Sequence, residues 1–123
     1  MPSAAGTHNL PHIAALTVAA CEPVSTTGAG GPAIDTNAAV PVALLVPSGS
    51  GQASDELLAR SLQNAARLAI ADLGNVKVDL RVYNTSGQPA QAAAMASKAV
   101  DEGAKIILGP VYAQEANAAG AAV

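Results

Sequence analysis

The sequence predicts an α/β fold, a three-layer open parallel sheet with strand order 2-1-3, and three observations carry that prediction. Apolar runs at residues 40–46, 78–83 and 105–108 are separated by two longer stretches whose apolar residues recur every three or four positions. Such alternation of strand and helix periods is the pattern of a parallel sheet covered by helices. Gly or Pro punctuates the junctions: Gly49 and Gly51, Gly74, Pro89, Gly103, then Gly109 and Pro110. Right-handed crossovers place the first strand between the other two.

Each element has its own justification. Val40 to Val46 is a nearly continuous apolar run, as a central strand buried on both faces requires, and Pro41 is tolerable because it stands at the start. Ser54 suits the N-cap of the following helix, with Asp55 and Glu56 in a first turn that favours negative charge. Leu58, Leu62, Ala65, Ala69 and Leu73 form the expected inward stripe. Glu56 and Arg60 make an i,i+4 surface pair, and Gly74 with Asn75 ends the helix.

In the second strand Val78, Leu80 and Val82 alternate with Asp79, Arg81 and Tyr83, which belongs at a sheet edge. After a loop from Asn84 to Gln88, Pro89 opens a helix at N1, with Ala92, Ala96, Ala99 and Val100 as its inner side and Gly103 as its stop. Asp101 and Glu102 in its last turn have the wrong sign for a helix C-terminus. KIIL at 105–108 is the third strand. Gln114 to Val123 begins a further helix, whose uncapped AGAAV implies that more of the domain follows.

Composition narrows the function. Hydrophobic residues make up 50% of the chain, yet Phe and Trp are absent and Tyr83 and Tyr112 are the two aromatics. Small side chains bury little area each, so the core must come from close helix-on-sheet packing. A net charge of -3, with six Lys and Arg spread singly, provides no basic stripe to neutralise phosphates, so no nucleic acid is expected.

The one cysteine, Cys21, follows the apolar segment Ile13 to Ala20, which is far shorter than the roughly 20 residues that cross a bilayer. Val18, Ala19, Ala20 and Cys21 resemble the lipobox of bacterial lipoproteins. That resemblance implies a signal peptide at residues 1–20 and lipidation at Cys21. A cysteine buried in an alanine-rich helix is the other reading. Pro23, Thr26-Thr27-Gly28 and Gly30-Gly31-Pro32 make residues 21–39 a flexible tether, leaving 40–123 as the folded part.

Gly49-Ser-Gly51-Gln-Ala-Ser54 follows the first strand as a dinucleotide-binding loop would, but fails its other requirements. Ser54 replaces the third small glycine, Asn84 stands where an acid should hold the ribose, and no Lys occurs between residues 42 and 76 for a phosphate loop. A loop that turns and caps a helix is the better reading. Both histidines, His8 and His12, lie in the leader, so the mature chain has no imidazole for a Ser/His pair or a zinc site. Asp55, Asp72, Asp79 and Glu102 read as solvated surface charges. No catalytic residue, metal or cofactor is expected.

What remains is binding at the carboxyl ends of the strands, where open α/β sheets collect ligands. The candidate rim comprises Ser48, Ser50 and Gln52 in the first loop, Asn84, Thr85 and Ser86 in the second, and Tyr112, Ala113 and Gln114 in the third.

Residues 40–123, through VALLVPSG, NAARLAIADL, VYNTSGQPAQAAA and DEGAKIILGPV, resemble the opening of type I periplasmic-binding-protein domains, the leucine/isoleucine/valine-binding family. The resemblance implies part of the N-terminal lobe of a two-lobed domain. One branch of that family serves ABC transporters for amino acids, with a serine or threonine after the third strand holding the ligand carboxylate; here Ala113 occupies that place. The other branch comprises lipoproteins that activate penicillin-binding proteins, to which GPVYAQE and the tethered lipobox are more similar. The resemblance thus implies a non-catalytic, lipid-anchored regulator of peptidoglycan synthesis whose partner is a peptidoglycan synthase. The alternative is a receptor for a small amino-acid-like ligand and its ABC permease. Glu22 in place of an aspartate after the cysteine implies the periplasmic side of the outer membrane.

Overall fold

The computed structural model describes residues 33–123, so the leader, Cys21 and the first part of the tether lie outside the described residues. β1 (Val40–Val46) is central, with β2 (Val78–Asn84) and β3 (Ile106–Leu108) parallel to it on either side. The order β2-β1-β3 is the one expected. Val40 stands opposite Val78 and Val46 opposite Asn84, while Val42 to Leu44 pair with Ile106 to Leu108. Three helices complete the layers: α1 (Ala53–Ala71), α2 (Pro89–Asp101) and α3 (Ala113–Ala122).

Successive residues of β1 serve opposite faces, as the pleat dictates. Leu44 and Val46 pack under α1 with Ala59, joined by Leu62, Ala66, Leu80 and Val82. Ala43 and Leu45 pack on the other side with Tyr83, Ala92, Ala96, Ala99, Ala104 and Ala119. Six alanines stand among the eight buried residues of that second cluster, so α2 lies close to the strands and to α3. Ser97 Oγ on α2 meets the Ala122 carbonyl on α3 at 3.3 Å.

Some local readings need correction. α1 starts two residues earlier than an N-cap at Ser54 implied, with Gln52 as its N-cap and no side-chain cap. Its inward face is Asp55, Ala59, Leu62 and Ala66, whereas Ala65 and Ala69 of the expected stripe are exposed and Leu73 is 50% exposed. Val100 is likewise exposed at 45%, leaving Ala92, Ala96 and Ala99 as the inner side of α2. Glu56 turns back to the loop before the helix rather than toward Arg60.

The acids at the end of α2 acquire a physical account. Arg81 on β2 donates from Nη1 to the Glu102 carbonyl at 2.7 Å, capping the helix with a cation, and holds Asp79 through Nε and Nη2. The Tyr83 hydroxyl donates to Glu102 Oε2 at 2.5 Å, and Lys98 lies 3.8 Å from Oε1 of the same carboxylate. Glu102 therefore fastens α2 to the edge strand. Its carboxylate pushes the Tyr83 phenol above its ordinary range, with burial adding to the effect.

On the α1 side the sheet is incompletely covered. Ile106 and Leu108 of β3 are 40% and 42% exposed, and an apolar groove of about 250 Å³ runs between them, Val42 and Leu80, and the Ile70–Leu73 end of α1. No helix among the described residues is long and apolar enough to cross a membrane.

Candidate functional site

Three loops meet at the carboxyl end of the sheet. The first leaves β1 through the buried Pro47 and turns at Gly49, whose φ of +89° favours glycine. A Cβ there would come within 2.9 Å of Ser86 Oγ, so the glycine also lets the first loop lie on the second. Gly109 has the same role in the third loop: φ is +83°, and a Cβ would stand 2.6 Å from the Leu45 carbonyl oxygen. The second loop is pinned by backbone bonds from Thr85 N–H to the Val46 carbonyl at 2.8 Å and from Ser86 N–H to the Ser48 carbonyl at 3.1 Å.

Acids in the first turn of α1 then organise the first loop. Glu56 accepts from the Ser48 hydroxyl and from the Gly49 N–H, both at 2.6 Å. Those two bonds hold its carboxyl below the usual glutamate range. Asp55 accepts from the Tyr112 hydroxyl of the third loop, across 57 residues of sequence. The Tyr112 bond, helped by Ser50, lowers the Asp55 carboxyl, and the same contact raises the Tyr112 phenol. Ser50 Oγ also accepts from the Gln52 N–H at 3.1 Å.

The rim expected from sequence is therefore partly committed to holding itself together. Ser48, Ser50 and Tyr112 are engaged internally. Thr85 is fully buried and its hydroxyl donates to the Val46 carbonyl at 3.2 Å, so it is a structural residue rather than a group facing a ligand. Gln52, Asn84, Ala113 and Gln114 are exposed and Ser86 is half-buried. Asp55, read from sequence as a solvated charge, is only 8% exposed.

The three polar side chains buried among the described residues, Asp55, Thr85 and Glu115, all lie at this end of the molecule. Two of them have partners. Glu115, in the first turn of α3, is 1% exposed and neither carboxylate oxygen has a hydrogen-bond partner. Sequence reasoning missed it, since an acid early in a helix reads as a solvated complement to the dipole. The available signal was its position three residues after Tyr112, in a segment otherwise made of alanines, amides and glycine.

Chemically, this edge is acidic. Its loops and first helical turns, residues 48–56, 84–91 and 109–117, carry Asp55, Glu56 and Glu115 and no Lys, Arg or His. No three His, Cys, Asp or Glu side chains among the described residues are placed to hold a metal ion. In comparisons with protein-family models, curated proteins and solved structures, the chain matches none of them.

Proposed function

We propose that the chain is a non-catalytic, lipid-anchored lipoprotein of the type I periplasmic-binding-protein kind, which regulates peptidoglycan synthesis by docking onto a penicillin-binding protein. The observation that carries this choice over a nutrient receptor is the Glu56 carboxylate seated on Ser48 Oγ and the Gly49 N–H at 2.6 Å. A ligand carboxylate or phosphate at the first loop would need those same donors. It would find them taken and a negative charge in their place, and like charges at that range oppose binding. Ala113 in the third loop offers no hydroxyl to compensate. Exposed amides at Gln52, Asn84 and Gln114 remain, and these suit a neutral or cationic protein surface. In this reading the lipid fixes the protein to the membrane, the tether gives it reach, and the rim makes the contact.

A paired experiment tests the reading. The full chain is melted with and without an excess of leucine, isoleucine or valine, and the lipidated form is isolated from membranes to identify co-purifying proteins. Co-purification of a transpeptidase with no change in Tm is the expected result. A ligand that binds only the native state stabilises by about 2.7 kcal/mol at a hundredfold excess over Kd. A Tm rise of that order with branched-chain amino acids, and no transpeptidase, would replace the regulator with a transport receptor.

A further inference from the structure

We propose that Glu115 is the counter-charge of a binding site for a primary ammonium group at the carboxyl end of the sheet. This deepens the docking reading above, since a lysine side chain of the partner protein is the ammonium that reading would supply.

The argument begins with the orphaned carboxylate. Both Glu115 oxygens are sequestered from solvent without a donor, whereas the other two buried polar side chains are bonded. Native proteins seldom leave such a group unpaired, because an ionised carboxylate only accepts and loses its hydration on burial. A donor from outside the described residues would satisfy it.

Location and charge specify the donor. Glu115 sits one helical turn past Tyr112, whose hydroxyl is bonded to Asp55, so the three groups lie at one end of the molecule. With Asp55, Glu56 and Glu115 and no base in the surrounding loops, the local field favours a cation. A site this enclosed admits a compact head. An ammonium concentrates its charge and three donors at one atom, where a guanidinium spreads them over a plane. Tyr112, 41% exposed and tied to Asp55, stands three residues before Glu115 at the surface. The partner charge is not expected to come with a carboxylate, because Glu56 already occupies the donors of the first loop.

The test uses the full chain, labelled with ¹⁵N, and four probes at equal ionic strength: n-butylammonium, tetramethylammonium, leucine and butyrate. Saturable amide shifts confined to residues 85–87 and 110–117 are expected with n-butylammonium alone. Glu115→Gln should weaken that binding about tenfold or more, as removal of one partner of a desolvated charge pair does. No saturable shift with n-butylammonium, or equal shifts with tetramethylammonium, overturns the proposal and leaves the carboxylate to internal water. Equal binding by Glu115→Gln overturns it as well. Should that variant fail to fold, a Tm of the unmodified chain that rises with n-butylammonium but not with tetramethylammonium supports the proposal, and equal responses refute it.

Transpeptidase capture by the lipidated protein separates this inference from the reading it rests on. Capture lost in Glu115→Gln identifies the ammonium as the partner's lysine. Ammonium binding without capture keeps the site, assigns it to a free amine and removes the docking reading. Capture without ammonium binding does the reverse.

Discussion

The two faces of the sheet are served by the same three strands and end up differently covered. Beneath α2 lies a layer in which Ala43, Ala92, Ala96 and Ala99 are fully buried, with a cavity of about 160 Å³ left between α2, α3 and Ile107 of β3. Beneath α1 the packing is good over β1 and β2 and stops there, leaving Ile106 and Leu108 of β3 open to solvent. Geometry explains the asymmetry. A helix about 10 Å across covers roughly two strands spaced about 4.8 Å apart, so one helix cannot cover three and two helices can. Alanine on the doubly covered side then lets both helices settle without displacing each other. The comparison teaches that a low-volume composition can still bury its small side chains completely where two helices share a face.

Substitutions of matched size should break that equality most visibly. Leu45→Ala, which empties a fully buried position on the closed face, is expected to cost about 2–5 kcal/mol. Leu108→Ala on the open face should cost less than about 1 kcal/mol, both read from urea midpoints. Equal losses would mean that β3 is covered in solution. Overpacking gives the next largest contrast: Ala99→Leu between α2 and the sheet should destabilise by about 1–3 kcal/mol, while Ala69→Leu beside the open groove should stay within about 0.5 kcal/mol of the parent. A large cost at Ala69 would show that the groove is not free.

A smaller effect is expected from Leu108→Lys. Exposed apolar side chains on an unpaired edge strand promote association, and a lysine there opposes it. Sedimentation at rising concentration should show less association in the variant than in the parent; identical behaviour would remove the groove from consideration as a contact surface.

The smallest expected effect lies where the two faces meet, at the first turn of α1. The Glu56 carboxyl is held low by Ser48 and Gly49 in the folded chain, so its contribution is complete above the ordinary carboxylate value of about 4.3 and is lost as pH falls through the lower folded value. Glu56→Gln should therefore flatten the acid limb of Tm against pH while leaving neutral pH less affected. An unchanged limb would place the acid sensitivity elsewhere, with Asp55 next, since Tyr112 lowers it in the same direction.

Much of this fold was legible before any coordinates. The apolar run at β1, the alternation at β2 and the Gly-Pro break after β3 each express a backbone requirement that few other residue patterns satisfy. The order β2-β1-β3 followed from crossover handedness. The face of α1 was less legible, because Ala59 and Ala66 are weak hydrophobic signals beside Leu58 and Ala65, yet small side chains are the ones admitted closest to the strands. The site was only half legible. Loop positions followed from topology, but whether Ser48 or Tyr112 faces outward depends on Glu56 and Asp55 turning back, a tertiary choice. The partners of Glu102 and the burial of Glu115 were not legible, since their surroundings come from elements distant in the chain: Tyr83 and Arg81 for Glu102, and the packing of α3 on α2 for Glu115.

The bond from Tyr112 to Asp55 has a mechanical consequence. Alanines join α2 to α3, so the loops that precede those helices stand on one packed unit. The second loop is tied to the loop before α1 by the Ser86 N–H bond to the Ser48 carbonyl, and the third loop by the Tyr112 phenol on Asp55. Tyr112→Phe should therefore free the third loop from the rim while the second loop and the layers beneath stay as they are.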